Sequence, residues 1–454
     1  MPRTDRPDGR ARPIERIAIL GGGIAGLATA FYARKAGLPF TLYEAGDRCG
    51  GNAATLREGE FLYDTGAHRF HDKDPVSTAD VLRLLGEDIE RLHIPSKIHH
   101  RGKLVDFPFL PLNLLKSLGP SAFIASGLQA LAARLQRGRA ADDFESFARR
   151  AYGGSIAERF LLNYSEKLWG LPCRRLSPDV SGERVKGLTL RAVLVEAFAG
   201  RRARARHVDG AFYYPRLGIG EIARRMADAC GPDVIRTGSP VTKVVRDTTR
   251  LMAVETGGGE TVAADAVVSA IPLPDFVRMI APAPPDDVLR SALALRFRRL
   301  VLVALFLDRE SVTRAATVYF PDREFPFTRV FEPRNRSPRM APAGRTSLVA
   351  EIPCWEDDEA WGAEDGVLIE RTASALRHVG WIRNGDIIGA EVRRLPSAYP
   401  VLERDTPRNL AIVLSYLARF RNLRLTGRAG RFAYSWIHDQ MRSGRRIVQD
   451  LLPS

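Results

Sequence analysis

Ile17 to Leu20 is an unbroken apolar run that ends in three glycines. A run this short, bounded by glycine, reads as a strand covered on both faces. Leu27 to Ala36 then carries helical periodicity, and Pro39 to Tyr43 is a second apolar strand stopping at Glu44. Phe61 to Tyr63 is another short strand. The stretches "PVTKVVRD" and "RLMAVETGGGETVAADAVVSAIP" predict strand, strand, glycine hairpin, strand, and then a buried strand from Ala266 to Ala270 stopped by Pro272. Spacing around Phe144, Phe147 and Ala148 to Tyr152 predicts an amphipathic helix. Leu300 to Leu307 predicts a strongly apolar strand, one face of which is expected to floor a substrate cavity. Leu423 to Thr426 predicts a final strand, followed by glycines and a helix from about Ile437 to Leu452.

The first of these turns carries chemistry. Gly21 permits the tight turn, Gly23 lets a pyrophosphate approach the backbone, and Gly26 lets helix and strand pack closely. Phosphate then sits at a helix N-terminus, where free N–H groups and the dipole attract anions. Glu44 lies about where an acid binds ribose hydroxyls in a dinucleotide site. Past it come Arg48, Gly50, Gly51 and Asn52, and the run E-x3-R-x-GG resembles the FAD-binding fingerprint of glutathione-reductase-like and amine-oxidase-like flavoproteins. The expected fold is α/β, with a Rossmann-like FAD-binding domain of discontinuous segments and an α+β substrate domain carrying a helical insert. Segments 14–95, 208–290 and 390–454 are assigned to the first, and 96–207 and 291–389 to the second.

With 454 residues there is room for two or three domains. The net charge of +15 raises the question of nucleic acid, but only eight of the 68 basic residues are Lys and the arginines are spread along the chain. No nucleic-acid module accompanies them, so an arginine-rich chain without a nucleic-acid partner is expected. Cys49, Cys173, Cys230 and Cys354 are far apart, which suits a reduced, cytoplasmic protein. Neither they nor the eight His show metal-ligand spacing, so no metal is expected. Residues 1–13 read as a disordered leader, and "RRARAR" (201–206) and "APAPPDD" (281–287) as linkers. Leu104 to Leu135 is apolar but broken by Pro108, Pro111, Lys116 and Pro120, so it reads as loop and helix, with a peripheral membrane contact as the alternative.

Six further blocks occur in order: "GAHRFH" (66–71), "YSEKLWGLP" (164–172), "YYPRLGIGEI" (213–222), "FTRVFEP" (327–333), "SAYPV" (397–401) and "LTGRAGRFAYSW" (425–436). With the glycine fingerprint, they make nearly the whole chain resemble the amine oxidase superfamily of flavoproteins, in its UDP-galactopyranose mutase and protoporphyrinogen-oxidase-like branch. Gly427 and Arg428 would sit before a helix N-terminus aimed at the flavin, with Arg428 as a fixed cation. The resemblance adds His68 and Val241 to the cofactor set and puts His71 beside the flavin. Gly66 would let the backbone pass close to the planar ring.

For the substrate, the resemblance implies Trp169 as a platform for a nucleobase, with Tyr164 and Ser165 beside it. Arg329, Tyr399 and Tyr434 match the arginine and tyrosines that grip the diphosphate. Arg184 and Lys186 stand where the mutases carry a mobile-loop arginine, and Lys cannot clamp phosphate bidentately. The catalytic set is thus His71, Arg329, Arg428 and Tyr434. The implied activity is pyranose–furanose interconversion of a sugar nucleotide or related anionic glycosyl phosphate through reduced, non-covalently bound FAD, with NAD(P)H a candidate external reductant. The alternative is an FAD oxidase or dehydrogenase of the amine, protoporphyrinogen or polyene type. A flavin-free binding protein like the GDP-dissociation inhibitors is disfavoured by the intact glycine, Glu44, Arg48 and Arg428 set.

Overall fold

The computed structural model describes residues 14–100, 102–107, 141–181 and 211–452, together with residues 121, 125, 128, 129 and 132. Two sheets organise them. The first is fully parallel and five-stranded, in the order Leu423–Leu425, Ala266–Ser269, Ile17–Leu20, Phe40–Tyr43, Ile235–Arg236. Its central strands Ile17–Leu20 and Ala266–Ser269 are buried at every position, as continuous apolar runs require. Helix Ile24–Lys35 covers one face and packs on helix Ile437–Leu451. Their approach is close enough that a Cβ at Gly444 would lie 2.8 Å from the Thr29 nitrogen. The meander Val241–Arg246, Leu251–Thr256, Thr261–Ala263 leads back into this sheet through Ala266–Ser269.

The second sheet has seven strands, in the order Ile387–Pro400, Phe297–Leu307, Thr346–Cys354, Arg329–Phe331, Thr317–Tyr319, Ser96–His100, Lys103–Phe107. Val301, Val303 and Leu305 face one core, and Leu300, Leu302 and Ala304 face another with Phe61 and Tyr63. A short helical insert, including Phe144–Tyr152 and Asn163–Trp169, stands against this sheet. Its first helix is capped by Asp143, whose carboxylate accepts from the Ser146 N–H at 2.8 Å.

Three expectations need correction. Strand Ile387–Pro400 pairs with Phe297–Leu307 along its length, so the chain stays in the second sheet until Pro400, ten residues beyond the expected return at 390. The strand Phe297–Leu307 does not floor the cavity, because both of its faces are taken up by core packing and only Phe297 reaches the cavity wall. Residues 281–287 are not a linker: Ile280–Ala281 pairs with Val244 and Val245, and Asp286 opens helix Asp286–Leu293. Residues 1–13, 201–206 and most of Leu104 to Leu135 lie outside the described residues. Among the described residues, no helix is long and apolar enough to cross a membrane.

Candidate active site

The two sheets meet around one cavity of about 1720 Å³, lined from the glycine turn at one end to the helical insert at the other. Pockets for one small ligand run roughly 300–1,000 Å³. The space therefore suits a dinucleotide together with a second molecule.

Sterics explain the glycine end. Gly21 has φ of 94°, in the left-handed region that favours glycine, and a Cβ on Gly26 would stand 1.9 Å from the Gly21 carbonyl oxygen. At Gly23, by contrast, a Cβ would meet nothing nearer than Gly51 at 4.0 Å and would project into the cavity. The second glycine pair packs on the first: Gly50 N–H donates to the Gly22 carbonyl at 2.8 Å, and Gly50 bridges Gly23. Glu44 accepts from the Gly22 N–H at 2.6 Å and the Gly46 N–H at 2.8 Å, which fixes its carboxylate under the turn.

At the other end, side chains from distant segments converge. Arg329 Nε donates to Glu351 Oε2 at 2.6 Å and its Nη2 to the Tyr399 hydroxyl at 2.7 Å. Burial works against the arginine's charge, but the Glu351 carboxylate together with Tyr399, Tyr164 and Tyr319 outweighs it and holds Arg329 firmly protonated. Arg428 lies over the Tyr434 ring at 4.5 Å and 5.9 Å from that of Tyr399. Its Nη2 donates to the Ser435 carbonyl at 2.9 Å, its Nε has no partner, and no carboxylate among the described residues pairs with it. Burial pushes the Tyr399 and Tyr164 phenols up, so both stay protonated donors.

His68 is pushed down to about 3, first by burial and then by the charges of Arg428 and Arg329. It is therefore neutral, and its Nε2 has no partner. His71 lies 5.3 Å from the Trp436 ring, and the Lys73 ammonium is 3.9 Å above that ring.

Of the expected site residues, Gly21, Gly23, Glu44, Gly50, Gly51, Asn52, His68, His71, Val241, Gly427 and Arg428 line the cavity. Tyr164, Ser165, Trp169, Arg329, Tyr399 and Tyr434 line its other end. Gly26 and Arg48 do not: Gly26 packs beneath the turn and Arg48 lies behind Gly50. Gly66 also stays off the wall, and its φ of 146° and contacts with His68 and Glu351 account for it. The helix after Gly430 begins at Ile437, and Asp439 accepts from the Trp436 N–H at 3.1 Å at its start. Arg184 and Lys186 lie outside the described residues. Glu351 was missed, although it is the single charge in the wholly buried strand "TSLVAEIPC".

The model of flavin containing amine oxidoreductases matches residues 24–452. The chain is 28% identical over 300 residues to a phytoene dehydrogenase of Streptomyces griseus, covering 60% of this chain and 57% of that protein. It is 33% identical over 153 residues to protoporphyrinogen oxidase 1, chloroplastic, of Arabidopsis thaliana, covering 32% and 28%. The matches thus span about half or less of these two relatives. The fold is similar to that of reduced UDP-galactopyranose mutase, with a TM-score of 0.84 at 20% identity over 96% of this chain and 95% of that one. It is also similar to that of putrescine oxidase bound to putrescine, with a TM-score of 0.63 at 18% identity over 96% and 98%.

Proposed function

The chain belongs to the family of flavin containing amine oxidoreductases, and from that premise we propose that it interconverts pyranose and furanose forms of a glycosyl phosphate without net redox change. The carrying observation is the Arg329–Tyr399–Arg428–Tyr434 cluster. Glu351 neutralises one guanidinium and no described carboxylate neutralises the other, so the cluster keeps a positive charge. A partly buried cation without an acid is stabilised by an anion, and guanidinium takes phosphate bidentately.

The opposite end fits FAD. Gly23 leaves room for a diphosphate at the N-terminus of Ile24–Lys35, and Glu44 is fixed beneath the turn at a strand end. Gly21, Gly23, Glu44, Gly50 and Gly51 would hold the dinucleotide portion, and Asn52, His68, Val241, Gly427 and Arg428 the flavin end, with Gly26 and Arg48 supporting from behind. Bound there, reduced flavin would supply an electron pair to the anomeric carbon as the phosphate departs and would take it back as the phosphate returns. NAD(P)H is the proposed reductant.

The remaining work falls to side chains. Arg428 neutralises the departing phosphate, Arg329 donates to it while paired with Glu351, and the Tyr399 and Tyr434 hydroxyls donate to its oxygens. Neutral His68 offers Nε2 as an acceptor for a sugar hydroxyl. Anaerobic titration of reduced and oxidised protein with a panel of glycosyl diphosphates tests the reading. Binding and isomerisation in the reduced form alone, reduced about a hundredfold by Arg428→Ala, is the expected result. If the reduced protein binds none of them and Arg329→Ala changes nothing, the reading fails.

A second reading, dehydrogenation of an apolar substrate, is favoured by the hydrocarbon character of the insert's cavity wall. Substrate-dependent bleaching of oxidised flavin without oxygen would select it.

A further inference from the structure

The cavity changes character abruptly beyond the arginine and tyrosine cluster. The described lining residues of the helical insert include no charged side chain, and Ser165 is the only polar one among them that is not aromatic. Ile156, Leu161, Leu168 and Val180 form the wall with Tyr152, and Phe107 closes it from the edge of the seven-stranded sheet. This apolar arm is continuous with the polar cluster. Ile156, Tyr152 and Ile98 form one buried cluster with Phe107, Leu161 and Tyr319, and Tyr319 meets Tyr164 edge to face at 5.7 Å.

A nucleoside is a poor occupant for such an arm. Its ribose hydroxyls and polar base edge need hydrogen-bond partners, and burying them unmatched is unfavourable. The residue expected to be its platform, Trp169, is only 5% exposed and stands edge-on to Tyr399 at 6.1 Å, packed in a core with Phe144, Leu171 and Leu176. A hydrocarbon chain asks only for apolar area.

We propose that the substrate is a glycosyl phosphate carried on a hydrocarbon chain, its phosphate at the Arg428–Arg329 cluster and its chain along the apolar arm. The inference rests on the glycosyl phosphate reading and replaces the nucleotide carrier by a lipid one. One molecule then matches both halves of the cavity, with the anion at the cationic cluster and the tail along a wall whose described insert residues carry no charge.

The test uses reduced holoenzyme and follows the flavin absorbance change on titration with farnesyl diphosphate, UDP, inorganic diphosphate and farnesol. Farnesyl diphosphate is expected to saturate the change at about a tenfold lower concentration than UDP or inorganic diphosphate, since only it buries a chain as well as an anion. Leu168→Ser and Ile156→Ser should each weaken farnesyl diphosphate about tenfold while leaving inorganic diphosphate unaltered. If these variants do not fold, the ranking in the unmodified enzyme decides. UDP binding as tightly as farnesyl diphosphate, or farnesol matching farnesyl diphosphate, overturns the lipid carrier and leaves the glycosyl phosphate reading to its own test. Absence of binding by all three diphosphates defeats that reading itself, and this inference with it.

Discussion

The two ends of the cavity are built by different means. The glycine end is made of backbone: Gly21, Gly23, Gly50 and Gly51 lie within about thirty residues of chain and shape the cavity wall by the side chains they lack. The arginine and tyrosine end is made of side chains from Arg329, Tyr399, Arg428 and Tyr434, on segments that come together only through folding. Steric necessity leaves a local signature, since no other residue fits a turn like that at Gly21. A constellation of charges leaves none until its partners are known.

The largest effect should follow from filling the backbone end. Gly26→Val would put a branched side chain where even a Cβ would lie 1.9 Å from a carbonyl oxygen. The strand and helix would have to separate, at a cost of more than about 3 kcal/mol, and the purified protein should carry no flavin absorbance. Gly366→Ala, where an added Cβ meets nothing within 4 Å, should retain both thermal midpoint and colour. Flavin retained in the Gly26 variant would show that close packing is not what the turn requires.

At the side-chain end the corresponding weakness is the buried ion pair. Glu351 is 1% exposed on its side chain and Arg329 14%. Glu351→Gln strands the guanidinium in a low-dielectric site and should cost about 3 kcal/mol in denaturant unfolding. Flavin absorbance should persist in the folded fraction, because the glycine end is untouched. Adding Arg329→Met should recover part of the loss, since removing both charges leaves neither stranded. An unchanged unfolding midpoint for Glu351→Gln would mean that the pair is solvated.

The same contrast governs what was legible in the sequence. Ile17–Leu20 is a continuous apolar run and Phe40–Tyr43 and Ala266–Ser269 are nearly so, and each is a parallel strand within a residue or two of its expected limits. The flavin-binding fold followed from those runs and their glycines, and the family from the six further blocks beside them. Ile387–Pro400 was cut at 390 because its positions are mostly half-buried, which leaves no apolar period to mark it as one long strand. Leu300 to Leu307 was read correctly as a strand, but periodicity cannot tell a cavity wall from a strand buried on both faces. Glu351 was visible as an isolated charge in an apolar strand, yet its partner Arg329 lies 22 residues away on a neighbouring strand. Only register brings them together.

The smallest effect concerns His68, which joins the two ends. Its ordinary value of 6.5 is lowered to about 3 by burial and by the nearby Arg428 and Arg329. Between those values the unfolded chain binds a proton that the folded chain refuses, so stability must fall as pH drops below 6.5 and level off near 3. The slope from this group reaches about 1.4 kcal/mol per pH unit. Other acid-sensitive groups contribute to the same limb, so the informative quantity is the difference from His68→Gln, which keeps a polar side chain but cannot titrate. From pH 7 to 5.5 the unmodified protein should lose about 1 kcal/mol more than the variant in denaturant unfolding. An anion bound at the arginines offsets part of the charge that disfavours the imidazolium, so inorganic diphosphate should narrow that difference. Coincident acid limbs without ligand would mean that His68 is open to water, and a difference untouched by diphosphate would place the anion away from Arg428 and Arg329.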